Sequence, residues 1–273
     1  MWLTGRVRQI YSRTDGGAEG AVLSDSELAG LYAYPPSPAG RWLRANMVTS
    51  ADGAATVRGR SAGLSGEADQ QVFALLRALA DVILVGAGTA RAERYGPVRP
   101  ESEGVRWAWL REGRCPSAPI AVVTRKLDLD LGCALLTQAP EHARTIVITT
   151  GIAPPERRAA AARSADVIVA GESSVDLAAA AGALAARGYR NVLNEGGPHL
   201  LSQLIGAGLV DELCLTVSPL LAGPGAGRIV QPMRPAGLPG EQPPAPLTLT
   251  HVISDEGYLL CRYQRPAPAH PPG

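Results

Sequence analysis

The sequence predicts an α/β protein with a mostly parallel central sheet, helices on both faces and a C-terminal antiparallel hairpin. Helix-period segments alternate with short, continuously apolar β-branched runs, as in strands buried on both faces of a parallel sheet. Aromatic residues make up 4% of the 273 positions, with a single Phe, so the core must be built from Ala, Val, Leu and Ile. Near the C-terminal end two strand-like runs flank Asp255-Glu256-Gly257, which has the chemistry of a hairpin turn.

Residues 1–40 carry Gly16-Gly17, Gly20 and Tyr34-Pro35-Pro36-Ser37-Pro38, and read as a leader wrapped onto a domain at 41–265 without chemistry of its own. Residues 42–48 read as a strand closed by the turn Ser50-Ala51-Asp52-Gly53. Ala68, Val72, Phe73, Leu75, Leu76 and Leu79 recur at helical spacing, with Ser65 as N-cap and Glu67 in the first turn. That helix runs directly into the apolar strand 80–86, and an Ala-rich helix followed by 163–171 repeats the pattern. Residues 120–124, 145–149 and 191–193 add strands, and 174–187 a helix closed by Gly188. After a strand at 213–217, the runs 247–254 and 258–264 form the hairpin, placed at the sheet edge; 239–246 reads as a loop and 266–273 as a frayed tail.

Twenty-six basic against 25 acidic residues give a charge of +1, too balanced for a nucleic-acid clamp or a polybasic membrane anchor. Cys115, Cys133, Cys214 and Cys261 stand apart without a C-x-x-C pair, which predicts neither a zinc knuckle nor a disulfide framework and suggests a reducing cytoplasm. No apolar run reaches the ~18 residues of a membrane span. His142, His251 and His270 lack metal-ligand spacing, so no metal is expected.

Three loops follow strands and therefore fall at the carboxyl edge of the sheet, where open α/β sheets bind ligands. They are Ser50-Ala51-Asp52-Gly53, Gly86-Ala87-Gly88-Thr89 and Asn194-Glu195-Gly196-Gly197-Pro198-His199. Glycines let backbone amides approach an anion, the Thr89 hydroxyl can donate to a phosphate, and Pro198 is placed to open a helix. Two glycine-rich helix starts on one sheet suit a pyrophosphate-containing ligand such as a nicotinamide dinucleotide.

These loops, together with Leu76-Arg77-Ala78, the run from Ala80 to Thr89 and Val210-Asp211-Glu212-Leu213, resemble the pyrimidine-reductase domain of bacterial riboflavin biosynthesis (RibD C-terminal domain), whose fold is dihydrofolate-reductase-like. The resemblance spans about residues 44–264. It implies reduction of 5-amino-6-(5-phosphoribosylamino)uracil or a similar compound, ribosyl becoming ribityl, with NADPH as cofactor. It places Gly86, Gly88, Thr89, Gly196, Gly197, Pro198, His199, Leu200 and Leu201 along the cofactor phosphates, within a segment reaching Gln203, and Val48 and Glu93 in the same groove. Thr124, followed by Arg125 and Lys126, matches the 2′-phosphate position, where cations favour NADPH over NADH. Substrate contacts fall on Ser61, Arg77 and Glu195; Glu195 is the first choice as proton donor and Asp52 the second. The resemblance also implies a small-molecule partner and a homodimer, for which the hairpin offers a pairing surface.

The chain departs from the family in three respects. No zinc-deaminase signature occurs; Glu93-Arg94-Tyr95 stands where many members carry Asp-x-Pro; and Gly63 replaces a frequent aromatic, which suggests room for a larger ligand. Gly63 and the missing deaminase motivate one alternative, reduction of a folate or other pteridine; Glu93, Arg94 and Tyr95 motivate another, a non-catalytic NADPH-binding module. Structural readings compete for individual residues. Asp52-Gly53 also reads as a simple turn, Arg77 as a snorkelling or paired cation, and Asp81 and Asp166 as caps. Asp211-Glu212 reads as a helix-to-strand turn outside the site, and His199 as a solvent-facing residue.

Overall fold

The computed structural model describes residues 8–12, 22–99, 105–231 and 244–266. Most of the expected tail, and residues 239–243 of the expected loop, lie outside the described residues. In chain order the elements begin with β1 (Arg8–Ser12), α1 (Asp25–Leu31), β2 (Trp42–Ser50), α2 (Glu67–Leu79), β3 (Val82–Gly86), α3 (Ala87–Ala92) and β4 (Ile120–Val123). They continue with α4 (Ala134–Thr137), β5 (Ile146–Thr149), α5 (Pro155–Ala161), β6 (Asp166–Val169), α6 (Leu177–Ala186) and β7 (Asn191–Asn194). The last are α7 (Pro198–Gly206), β8 (Glu212–Ser218), β9 (Thr248–Asp255) and β10 (Tyr258–Gln264).

Among the described residues one ten-stranded sheet runs in the order β1-β9-β10-β8-β2-β7-β3-β4-β5-β6. From β8 to β6 every pairing is parallel, whereas β10, β9 and β1 are added antiparallel. The apolar runs of β3 and β5 are buried on successive residues, as strands covered on both faces must be, whereas β8 alternates. One core cluster joins Leu28 of α1 and Val72, Leu75 and Leu76 of α2; the other joins Leu177 and Leu184 of α6 to Leu200, Leu201 and Leu204 of α7. Helices therefore cover both faces, as expected.

The differences are local and have identifiable causes. The hairpin turn forms with Glu256 at φ 46° and Gly257 at φ 84°, two successive positive values of the kind a tight two-residue hairpin requires. Yet the hairpin is not the sheet edge, because β1 pairs with β9. This leader strand escapes pattern reading because Ile10 and Tyr11 are both exposed, leaving no buried face to alternate. Gly66, not Ser65, is the N-cap of α2; the Ser65 hydroxyl donates to the Asp69 carboxylate instead. Helix α6 starts later than expected, with Asp176 as N-cap accepting the Ala179 amide at 2.9 Å.

Glu212 is the largest correction outside the cleft. It opens β8, fully buried, and is not in a turn. Its carboxylate accepts Arg44 Nε, Arg262 Nη2 at 2.7 Å and Trp42 Nε1 at 3.0 Å. The same arginines reach the leader: Arg44 donates to the Tyr32 carbonyl at 2.7 Å and Arg262 to the Ala33 carbonyl at 3.1 Å. The cluster thus ties the chain after α1 to the middle of the sheet. Asp81 acts structurally, as expected, accepting the Arg190 and Asn191 amides at 3.0 and 2.8 Å.

Candidate active site

The carboxyl ends of β2, β3 and β7, with α2 on one side and the starts of α3 and α7 on the other, enclose a cleft of ≈ 790 Å³. The two glycine-rich loops meet at its floor, where the Gly86 amide donates to the Gly196 carbonyl at 3.1 Å. Gly196 and Gly197 have φ of 102° and 68°, and a Cβ added at Gly197 would lie 2.8 Å from Thr89 Oγ1. Any side chain at Gly197 would therefore be strained and would press on the Thr89 hydroxyl. Pro198 opens the nine-residue α7, so the amides of His199 and Leu200 have no acceptor within the helix.

Beside this floor stands a buried ion pair. Arg77 donates through Nε to Glu195 Oε1 at 2.7 Å and through Nη2 to Oε2 at 2.8 Å, and the Tyr95 hydroxyl donates to Oε2 at 2.9 Å. The Glu195 side chain is 1% exposed and that of Arg77 11%. The Arg77 guanidinium also stacks 4.3 Å from the centre of the Phe73 ring. Burial first, and then the Glu195 carboxylate, push the Tyr95 phenol above its ordinary range, so it stays protonated and donates. Glu195, expected as the proton donor, is here the acceptor of three hydrogen bonds.

The remaining expected site residues divide into those that line the cleft and those that do not. Val48, Ser61, Gly86, Gly88, Thr89, Glu93, Gly196, Gly197, Pro198, His199 and Leu200 all line it. Glu93 Oε1 accepts the Ser61 amide at 3.1 Å and hydroxyl at 3.2 Å, joining the end of α3 to the single turn Ser61–Gly63. Leu201 instead points into the core at 1% exposure, one position round the helix from the cleft face. Thr124 and Arg125 follow β4, one strand further along the same edge and outside the cleft lining. The Thr124 hydroxyl accepts the Asp128 amide at 3.1 Å and Arg125 Nε donates to the Ser173 carbonyl at 2.7 Å.

Two further expectations are corrected. Asp52 does not reach the cleft. Its carboxylate accepts the Ser50 hydroxyl at 2.5 Å and the Ala222 and Gly223 amides at 3.0 and 2.9 Å, tying the turn after β2 to the chain after β8. Those donors, the Ser50 hydroxyl foremost, hold it down to about 2, so it is a loop tie and not an acid at neutral pH. Gly63 does not open space for a ligand, because a Cβ there would meet Val57 at 3.0 Å.

Sequence reading missed Asp69 and the part played by Tyr95. Asp69 lines the cleft from the first turn of α2 at 8% exposure. Burial raises its carboxyl above the ordinary range, with hydrogen bonds from Ser65 and Thr216 opposing that shift. A signal was present: Asp69 precedes Val72, Phe73 and Leu76 by three, four and seven positions, an acid on the inward stripe of the helix.

Among the described residues no cluster of His, Cys, Asp and Glu suits a metal ion, and no helix is long and apolar enough to cross a membrane. Comparison with known proteins gives a consistent result. The chain is 32% identical over 179 residues to the 2,5-diamino-6-ribosylamino-4(3H)-pyrimidinone 5′-phosphate reductase of Archaeoglobus fulgidus, covering 65% of this chain and 80% of that one. It superimposes on a pyrimidine reductase-like protein from Corynebacterium diphtheriae with a TM-score of 0.74 and 28% identity, over 88% of this chain and 99% of that one. The Acinetobacter baumannii RibD shares the fold, with a TM-score of 0.63 and 20% identity over 83% of this chain and 58% of that one. The model of the RibD C-terminal domain family matches residues 41–252, and the chain belongs to that family.

Proposed function

We propose that the protein is an NADPH-dependent reductase that converts the ribosyl group of a ribosylaminopyrimidine phosphate to ribityl. The observation that carries this reading is the joining of two glycine-rich loops to the Arg77–Glu195–Tyr95 cluster in one cleft. The reading is supported by relatives named as pyrimidine reductases. In the reaction the bond from C1 to the ring oxygen breaks, that oxygen takes a proton and C1 takes a hydride. NADPH, when bound, supplies the hydride.

The chain's own residues fit such a cofactor. Gly196 and Gly197 leave a backbone cradle that a Cβ would fill, and the amides of His199 and Leu200, with the Thr89 hydroxyl, offer donors to a phosphate. Glu195 retains acceptor capacity beyond its three donors, enough to hold a substrate hydroxyl, and Arg77 keeps it fixed. Arg99 also lines the cleft, its Nη2 donating to Gln138 at 2.9 Å. Arg125 and Lys126 are assigned to the 2′-phosphate. Homodimerisation stands as part of the proposal; because β9 already carries β1, the sheet edges left open among the described residues are those of β1 and β6.

Thr89→Val removes one phosphate donor and is expected to weaken NADPH by about 1–2 kcal/mol, roughly tenfold in Kd. Gly197→Ala, which presses on the same hydroxyl from a strained backbone, should weaken it at least as much. A fluorescence titration checks both; wild-type affinity in the two variants removes the phosphate assignment. Arg125→Ala should reduce the NADPH-to-NADH affinity ratio by about tenfold, the scale of one charge-assisted hydrogen bond. A fixed ratio would show that the 2′-phosphate lies elsewhere.

A further inference from the structure

A second cavity, of ≈ 220 Å³, lies between α2, the 3-10 helix Val105–Arg111 and the chain leading to β4. Its walls are largely apolar, with Ala74 and Ala78 of α2, Val98 and the fully buried Trp107 among them. One cation is set into these walls without a partner. Arg111 lines the cavity at 9% exposure, its Nη2 is buried with no hydrogen-bond acceptor, and among the described residues no ion pair reaches its guanidinium. The other charged groups of the cavity are placed differently. Arg77 holds Glu195, and Arg114 donates to the Asp81 carboxylate and, at 3.5 Å, to the Ala80 carbonyl. Glu112 is exposed and, among the described residues, forms no ion pair with Arg111 or Arg114. Burial, and next the positive charge of Arg114, lower Arg111 to about 10, so it remains charged at neutral pH.

A buried guanidinium with unfilled donors carries a desolvation cost that an anion relieves. Its planar fork matches the two oxygens of a carboxylate, whereas the further oxygens of a phosphate would be pressed against apolar walls. A volume of ≈ 220 Å³ is below the roughly 300 Å³ at which pockets for drug-sized ligands begin, so the occupant is small. We propose that this cavity binds a small organic carboxylate, with the carboxylate oxygens on the Arg111 guanidinium and an apolar body against Ala74, Ala78, Val98 and Trp107. Among the described residues Arg77 alone lines both this cavity and the cleft described above, so the two are separate sites that share one wall residue.

The test titrates benzoate, its neutral counterpart benzamide and inorganic phosphate into the full chain by calorimetry, as wild type, Arg111→Met and Ala74→Leu, with melting curves to establish folding. Wild type should bind benzoate about tenfold or more tightly than benzamide, the scale of one charge-assisted hydrogen bond, and should bind phosphate more weakly than benzoate. Arg111→Met should lose the preference for benzoate and melt no lower than wild type, because it replaces a buried cation that has no counterion. Ala74→Leu places a larger side chain against the cavity from a half-buried helix position, and should weaken benzoate and benzamide together. Benzoate bound no better than benzamide by wild type overturns the site, and this comparison needs neither variant to fold. Preferential benzoate binding that neither substitution changes also overturns it, because the carboxylate then sits elsewhere. Phosphate bound as tightly as benzoate, and lost in Arg111→Met, would show a general anion site and refute the carboxylate assignment.

Discussion

Glu212→Gln is expected to lower folding stability by about 3–5 kcal/mol, the cost of removing one partner from a buried ion pair. Two guanidinium groups, those of Arg44 and Arg262, converge on this carboxylate, and both are buried. The neutral amide keeps the shape and some hydrogen bonding but leaves two cations uncompensated. The loss should also loosen the leader, because the same arginines hold the carbonyls of Tyr32 and Ala33. Urea unfolding with a lowered midpoint and unchanged slope would match the expectation, whereas wild-type stability would mean that the cluster is not energetically coupled. The pH dependence follows from the same site. Burial alone would raise the Glu212 carboxyl, but Arg44 and Arg262 outweigh it and hold the group at about 2, below its ordinary 4.5. Its stabilisation is therefore complete above pH 4.5 and lost as pH falls towards 2. His251, stacked edge-on against Tyr32, adds to this. Burial lowers it to about 3 from 6.5, so the unfolded chain takes up its proton first and stability falls with pH across that interval. Acid unfolding of wild type should begin below pH 6.5, with the Glu212→Gln chain already less stable at neutral pH.

Arg77→Met is expected to lower kcat/KM by about 100-fold or more, the usual cost of misplacing a positioning group. The side chain fills most of the same volume but leaves the Glu195 carboxylate buried with only Tyr95 to donate to it. Glu195 would then rotate or draw in water, and each alters the wall against which the substrate ribosyl group is proposed to lie. Because the unpaired charge also costs stability, activity and folding must be separated. The double variant Arg77→Met/Glu195→Gln removes both charges and should recover most of the stability while staying inactive. An active double variant would reduce the pair to a structural tie.

The alternation of helices with continuous apolar runs made the parallel sheet legible, and the turn at Glu256 and Gly257 made the hairpin legible, because burial and turn chemistry leave local marks on a sequence. Strand β1 left none, since its described side chains are exposed. In the cleft, Thr89, Glu195 and the glycines were found because a phosphate-binding loop needs particular residues in an unbroken stretch. Function assigned by tertiary partners was not legible. Asp52 became a loop tie only because Ala222 and Gly223 reach it from 170 residues away or more. Glu212 became the centre of an ion cluster because β2 and β10 flank β8 in the sheet, a fact about strand order and not about spacing. The opening expected at Gly63 failed for the same reason, since Val57 fills it.

The central claim is that this cleft reduces a ribosylaminopyrimidine phosphate with NADPH, and its most direct measurement is the loss of reduced-nicotinamide absorbance in the presence of 2,5-diamino-6-ribosylamino-4(3H)-pyrimidinone 5′-phosphate, with the product identified by mass spectrometry. The account predicts one NADPH oxidised per ribosyl group converted to ribityl, the product heavier by two hydrogens. Folded protein that binds NADPH but oxidises none of it with this substrate or its uracil counterpart would contradict the account.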